Sequence, residues 1–382
     1  MTSSARLWAP RGGFRGLRHR IRDRFLRRRL ERQLSRGDSA AAVASMIRLA
    51  RSADPVMLYR LAQCYENGVG TVRNFVAAVR WYEASAAAGM VDAMAKLGEI
   101  YMLGRVIRPR GWSSSVKPGS AVDAGRSRIL PNGNSIPADS GKALYWHSRA
   151  AEGGSAAAQA RLGFQYATGT GVQVDLAKAQ KWFSAAAEQG NASGQFGMGV
   201  LFAGNAVGRA DKATAASWFE KAVGQGDVRA KLALALLLLE GEGTEADPQR
   251  AVRMLLEAAE EGFTEAMFHL GEAHRIGRGI SQNLTNAEIW LRRSCARHYV
   301  PAFLPLACLL SEQLAPPDHN SALQVLRQGA ELGDARSQYA LAEHYALGRG
   351  VMEDAAQAAI WFQRAAAQGQ TPPASGQSAG SQ

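Results

Sequence analysis

The sequence predicts an all-α fold: a right-handed α-solenoid of about eight helix–turn–helix repeats of 36 residues, behind a basic N-terminal arm. Three observations carry this reading. Trp81, Trp146, Trp182, Trp218, Met254, Trp290, Val325 and Trp361 fall at a recurring position. Three residues earlier the chain always has Ala (Ala78, Ala143, Ala179, Ala215, Ala251, Ala287, Ala322, Ala358), and seven earlier always Asp or Asn (Asn74, Asp139, Asp175, Asp211, Asp247, Asn283, Asp318, Asp354). Eight residues later it has Gly in seven copies, from Gly89 to Gly369, with His298 the exception. Such matches at fixed offsets mark a repeat, in which each unit buries its faces only against its neighbours.

Repeat three shows why each unit is a helix pair. Ala156 to Ala167 favours a helix, with Leu162 and Tyr166 four apart on one face. Thr168-Gly169-Thr170-Gly171 ends it, since glycine admits the positive φ of a helix C-cap. The same Gly-x-Gly recurs at Gly68/Gly70, Gly241/Gly243, Gly277/Gly279 and Gly348/Gly350. Asp175 then suits the N-cap of the second helix, at roughly 1 kcal/mol per cap. On that helix Ala179, Trp182 and Ala186 share a face. The small residues let helices approach, and the indole is expected to fill the space between them.

In chain order, residues 1–38 form the Arg-rich arm. Residues 1–13 read as disordered, while 14–36 suit a helix with a split apolar stripe: Phe14, Leu17, Ile21 and Phe25 on one face, Leu26, Leu30 and Leu34 on another. Residues 39–53 are expected to cap the stack, and the solenoid runs over 54–369. Repeat two is interrupted near 106–136 by a Pro/Gly/Ser-rich loop. Repeat seven is one residue short and carries Pro301, Pro305, Pro316 and Pro317. The polar tail 370–382 reads as disordered.

The pattern A-x-x-x-L-G-x-x-Y-x-x-G-x-G-V-x-x-D-x-x-K-A-x-x-W-[FY]-x-x-A-A-x-x-G resembles the Sel-one-like repeat, a relative of the tetratricopeptide repeat. Leu162-Gly163, Tyr166, Gly169, Gly171-Val172, Asp175, Lys178-Ala179, Trp182-Phe183, Ala186-Ala187 and Gly190 match it. The resemblance implies a scaffold that holds other proteins together in signalling, secretion or cell-envelope assembly, and not an enzyme. Its tetratricopeptide relatives line their groove with first helices, which makes Lys96, Glu99, Arg161 and Gln165 candidate partner contacts.

No catalytic, cofactor or metal site is expected. The Gly-x-Gly turns follow helices and lack the Lys-Ser/Thr of a phosphate loop. Ser114-Ser-Val-Lys117 has the spacing of serine acyl-enzymes without their partner motifs. His269 and His274 lie on one expected helix and read as structural. The three cysteines (Cys64, Cys295, Cys308) occupy different repeat positions, which suits free thiols in a reducing compartment. Composition offers no apolar run for a membrane span and no signal-peptide core. The expected location is therefore cytoplasmic, or peripheral at the inner membrane face.

The formal charge is +12, and twelve arginines against Asp23 and Glu31 place +10 of it in residues 1–36. Arg18, Arg20, Arg22, Arg24, Arg27, Arg28, Arg29 and Arg32 are candidates for contact with an anionic surface. Anionic lipid is the first reading. An acidic protein, nucleic acid through the RGG-like Arg11-Gly12-Gly13, and a solvated or targeting segment are the others. The primary expectation is a protein–protein scaffold using its concave surface. The alternative is a membrane-associated regulatory or assembly component of cell-envelope or exopolysaccharide synthesis. No small-molecule substrate is expected.

Overall fold

The computed structural model describes residues 25–26, 28–50, 54–106, 135–204 and 210–370. The chain divides into two compact units at Met198/Gly199.

The first unit begins with a helix inside the stretch 14–36 that suits one. Residues 25–26 and 28–35 are helical (α1), and they pack on α2 (Ser39–Leu49). Leu26 and Leu30 of α1 are buried with Ala42, Val43, Met46 and Leu49 of α2. Ser45 Oγ donates to Gln33 Oε1 at 2.7 Å. Asp38 caps α2, and Asp38 and Ala42 stand 36 residues before Asn74 and Ala78. α1 and α2 are thus a helix pair in the repeat register, one pair ahead of repeat one. The expected boundary at residue 38, between the Arg-rich arm and the capping helix, falls at the turn between α1 and α2.

The pairs α3 (Pro55–Asn67)/α4 (Phe75–Ala87), α5 (Val91–Leu103)/α6 (Ser140–Glu152) and α7 (Ala156–Thr168)/α8 (Leu176–Glu188) follow. The next helix is α9 (Ala192–Ala203). Repeat two's insertion leaves through a two-residue antiparallel ladder, β1 (Arg105–Val106) on β2 (Ser135–Ile136). Ser114, Lys117 and the rest of the insertion's interior lie outside the described residues, as does the tail from 371.

The second unit contains α10 (Lys212–Gly224), α11 (Val228–Glu240)/α12 (Pro248–Glu260) and α13 (Thr264–Ile276)/α14 (Leu284–Cys295). Repeat seven departs from the pattern. Its first helix is a 3₁₀ turn (Val300–Ala302), a short α15 (Phe303–Cys308) and a π turn (Leu309–Gln313). Pro301 and Pro305 cannot donate backbone hydrogen bonds, which accounts for the broken ladder. The second helix, α16 (His319–Glu331), is regular. α17 (Ala335–Ala346) and α18 (Ala355–Ala366) complete repeat eight.

The expected caps form in all eight repeats. The Asp or Asn side chain accepts from the backbone N–H three residues on, at 2.8–2.9 Å. The eight alanines are all buried. Gly70, the second glycine of its turn, has no room for a Cβ against the backbone of Ser39, the first residue of α2; Gly171, Gly243, Gly279 and Gly350 meet earlier second helices in the same way.

The tryptophans depart from expectation. All six are only half-buried, whereas Met254 and Val325 in their place are buried. The core position is the next residue: Tyr82, His147, Phe183, Phe219, Leu255, Leu291 and Leu326 are each at most 2% exposed. Instead, four of the six offer a ring face to a cation: Lys221 lies 3.9 Å from the Trp218 centroid, Arg364 4.5 Å from Trp361, Arg293 4.6 Å from Trp290 and Lys181 5.4 Å from Trp182. A polarisable indole at the rim gains from a nearby cation without full burial.

Candidate functional site

In the first unit, the first helices α3, α5 and α7 line a cleft of about 280 Å³. Tyr59, Asp92, Lys96, Glu99 and Arg161 come from these helices, and His147 from α6. Lys96 and Arg161 occupy equivalent positions one repeat apart, three residues after the small packing residues Ala93 and Ala158. Both small residues are buried at the helix contact, and Lys96 and Arg161, one turn on, line the cleft.

The charges form a continuous chain. Glu66 is buried; its Oε2 accepts from Tyr82 Oη at 2.6 Å, and its Oε1 lies 3.2 Å from Lys96 Nζ. Lys96 Nζ is also 3.4 Å from Glu99 Oε2, and Arg161 Nη2 is 3.7 Å from Glu99 Oε1. Acid and base alternate as Glu66, Lys96, Glu99 and Arg161 across repeats one to three. Burial pushes the Tyr82 phenol well above its ordinary value, and the Glu66 carboxylate that it faces adds to this. The phenol therefore stays protonated and donates. Burial, then the negative Asp92, also raise Tyr59. The buried end is fully paired, while Arg161, about half exposed, leaves guanidinium N–H groups for a ligand.

His147 stands at the core position held by Phe183 in the next repeat. Its Nδ1 is 2.8 Å from Gln165 Oε1, and its ring packs on Gly98, where a Cβ would not fit. Burial lowers its pKa, so the ring is neutral at pH 7. Gln165 is 1% exposed and serves this contact, so it does not present a surface to a partner as expected. Its position, one residue beyond the Phe164 equivalent of Glu99, turns it inward. Sequence reading also passed over Glu66, Tyr82, Tyr59 and Asp92. The folded chain shows the spacing that joins them: Ser85 Oγ on Pro55 O, Gln189 on Gln159, Lys231 on Glu261 and Arg250 on Glu220 are all contacts between residues thirty apart, the separation of Glu66 and Lys96.

At the N-terminal end, Arg28, Arg29 and Arg32 are exposed on α1. Arg18, Arg20, Arg22, Arg24 and Arg27 lie outside the described residues. Among the described residues, no group of three or more His, Cys, Asp and Glu side chains is placed to hold a metal ion, and no helix is long and apolar enough to cross a membrane. His269 and His274 sit in α13, each with its pKa lowered by burial. Cys295 is buried and its thiol is pushed up to about 12, which suits an inert core thiol.

A crystal structure of a protective antigen of uropathogenic Escherichia coli, described as having an SLR fold, superposes with a TM-score of 0.65 at 28% identity. The match covers 86% of this chain and 64% of the antigen. A Sel1 repeat protein from Oxalobacter formigenes superposes with a TM-score of 0.56 at 27% identity, covering 86% and 87% of the two chains. An uncharacterised protein of Neisseria meningitidis serogroup B is 31% identical over 93 residues, 24% of this chain and 19% of that protein. The chain thus spans about a fifth of that relative and just under two thirds of the antigen. The Sel1 repeat model matches 55–90, 91–109, 129–155, 156–191, 192–227, 228–263, 264–299 and 335–370, passing over the irregular first helix of repeat seven and its partner α16. With the caps, alanines and turn glycines of that repeat in place over more than half of its length, the chain belongs to the Sel1 repeat family.

Proposed function

We propose that this protein is a non-enzymatic adaptor that binds a protein partner through the first-helix face of repeats one to three. The observation that carries the reading is the alternating chain Glu66–Lys96–Glu99–Arg161, buried at one end and open at the other. Sel1 repeat proteins are generally protein-interaction scaffolds, and this face is where the present chain concentrates polar side chains that the repeat itself does not require. Rigid, pre-paired charges favour one register of an incoming segment and penalise wrong ones.

The test is a cross-linked pull-down with wild type, Glu99→Lys, and the double variant Glu99→Lys/Arg161→Glu. The single variant places three cations together and should lose the wild-type partner by tenfold or more. The double variant restores an internal ion pair of reversed polarity, so it should fold normally yet still fail to recover that partner. Unchanged recovery by both would sink the assignment of this face.

A second reading has its own supporting observation. The exposed arginines of α1 suit docking on an anionic membrane face, as in a regulatory or assembly component of cell-envelope or exopolysaccharide synthesis.

A further inference from the structure

α1 is not a loose basic tail. Leu26 and Leu30 are buried against α2, and Gln33 bonds Ser45. These contacts fix which side of α1 faces outward. At about 100° per residue, Phe25, Arg28, Arg29, Arg32 and Arg36 fall within a stripe of roughly 100° turned away from Leu30. All five are exposed, Phe25 at 62%. Phe25, Arg29, Arg32, Gln33 and Arg36, with Asp38 at the rim, line a shallow cleft of about 410 Å³. Glu31, the one acid within α1, points about 120° from the centre of the stripe.

A terminal helix of a repeat stack needs a polar outer face to prevent further stacking. That need does not select one sign of charge. The last helix of the second unit shows this: the exposed residues of α18 are Gln357, Ile360, Gln363 and Arg364 among alanines, with a single cation. Four cations beside an exposed phenylalanine go beyond what capping requires. They match a surface that is anionic and has an apolar layer beneath its charges.

We propose that the Phe25–Arg28–Arg29–Arg32–Arg36 face of α1 is a docking surface for the phosphate headgroups of an anionic bilayer, an inference that rests on the second reading of function. The arginines pair with headgroup phosphates in bidentate fashion, and Phe25 enters the interfacial layer. α2 holds the helix at a fixed orientation on the first unit, so docking also orients that unit against the membrane.

The test uses the full chain with vesicles of phosphatidylglycerol and phosphatidylcholine, against vesicles of phosphatidylcholine alone. Wild type should sediment with the anionic vesicles only. Removing one arginine costs about fivefold in partitioning, so R28Q/R29Q/R32Q/R36Q should lose on the order of a hundredfold or more. The matching set of Arg→Lys changes should keep most of the binding, and F25A should lose a few-fold. Equal thermal unfolding of the variants shows that the fold is retained; if the Gln set unfolds, F25A and the Lys set decide.

Failure of wild type to bind anionic vesicles would remove the second reading itself. Wild-type binding with no loss in the Gln set or F25A would overturn the α1 surface and leave that reading standing. Loss of single-stranded RNA or inorganic phosphate binding in the Gln set, with vesicle binding intact, would also overturn it.

Discussion

The first helices of repeats one to three and those of repeats four to six obey the same repeat but carry different surfaces. In the former, the cleft positions hold Lys96 and Arg161, with Glu99 one turn on. In α9, α11 and α13 the equivalents of Lys96 are Gly197, Ala233 and His269, and those of Glu99 are Val200, Leu236 and Glu272. The packing residues do not differ in kind: Ala93, Ala158, Ala230 and Ala266 are all buried. Position in the register therefore decides what packs, and the unconstrained positions decide what each region can bind.

The largest expected effect comes from breaking the buried end of the chain of charges. Glu66→Ala leaves the Tyr82 hydroxyl buried without its acceptor and removes one partner of Lys96. A loss of about 2–4 kcal/mol is expected in urea unfolding. The later repeats suggest the compensation, because Phe183 and Phe219 stand at the Tyr82 position and Leu239 at that of Glu66. Glu66→Leu/Tyr82→Phe should therefore recover most of the loss, since well-packed apolar residues replace a buried polar pair at little cost. If the double variant is as unstable as Glu66→Ala, the two regions differ in more than surface chemistry.

A smaller effect separates the regions by pH. His147 is a core residue of repeat two, while Phe183 and Phe219 hold the same place further on. Its folded pKa is lowered by burial, so the unfolded chain binds the proton more readily. The stability contributed by the neutral ring is fully present above the unfolded value, near 6.5, and is lost as pH falls through it toward the folded value. Melting temperature should thus drop on acidification from pH 7 to pH 5. His147→Phe should reduce that slope by the share of one histidine, the rest belonging to His269, His274 and His344, which burial also lowers.

These contrasts show what could be read before folding. Caps, buried alanines and turn glycines were legible because each answers a local backbone demand that recurs at one spacing. The extra pair α1/α2 was signalled by Asp38 and Ala42, but Ser45 replaces the tryptophan and no Gly-x-Gly precedes it. The tryptophan is the larger and rarer residue, yet its neighbour Phe183 is the one that the next repeat covers, at Gly197. The chain of charges was half legible. Lys96, Glu99 and Arg161 follow from exposure on the first helices, whereas the inward turn of Gln165 and the buried Glu66–Tyr82 pair depend on contacts between repeats.

The smallest effect tests the one lapse in the repeat's turn. Gly89, Gly154, Gly190, Gly226, Gly262, Gly333 and Gly369 all have positive φ, from 78° to 93°, and His298 in their register position has φ 60°. A side chain there pays the left-handed penalty, on the order of 1 kcal/mol, which glycine escapes. His298→Gly removes the penalty but also frees the unfolded chain, so the net gain should be below 1 kcal/mol, read as a rise of a degree or two in melting temperature. The converse change, Gly190→Ala, meets no neighbour within 4 Å, so its cost is the φ strain alone and should be about 1 kcal/mol. A gain at 298 with a loss at 190 would establish that the turn works by backbone conformation. A loss at 298 of more than about 1 kcal/mol would mean that the exposed His298 ring contributes contacts of its own at the entry to repeat seven, the one repeat whose first helix is not regular.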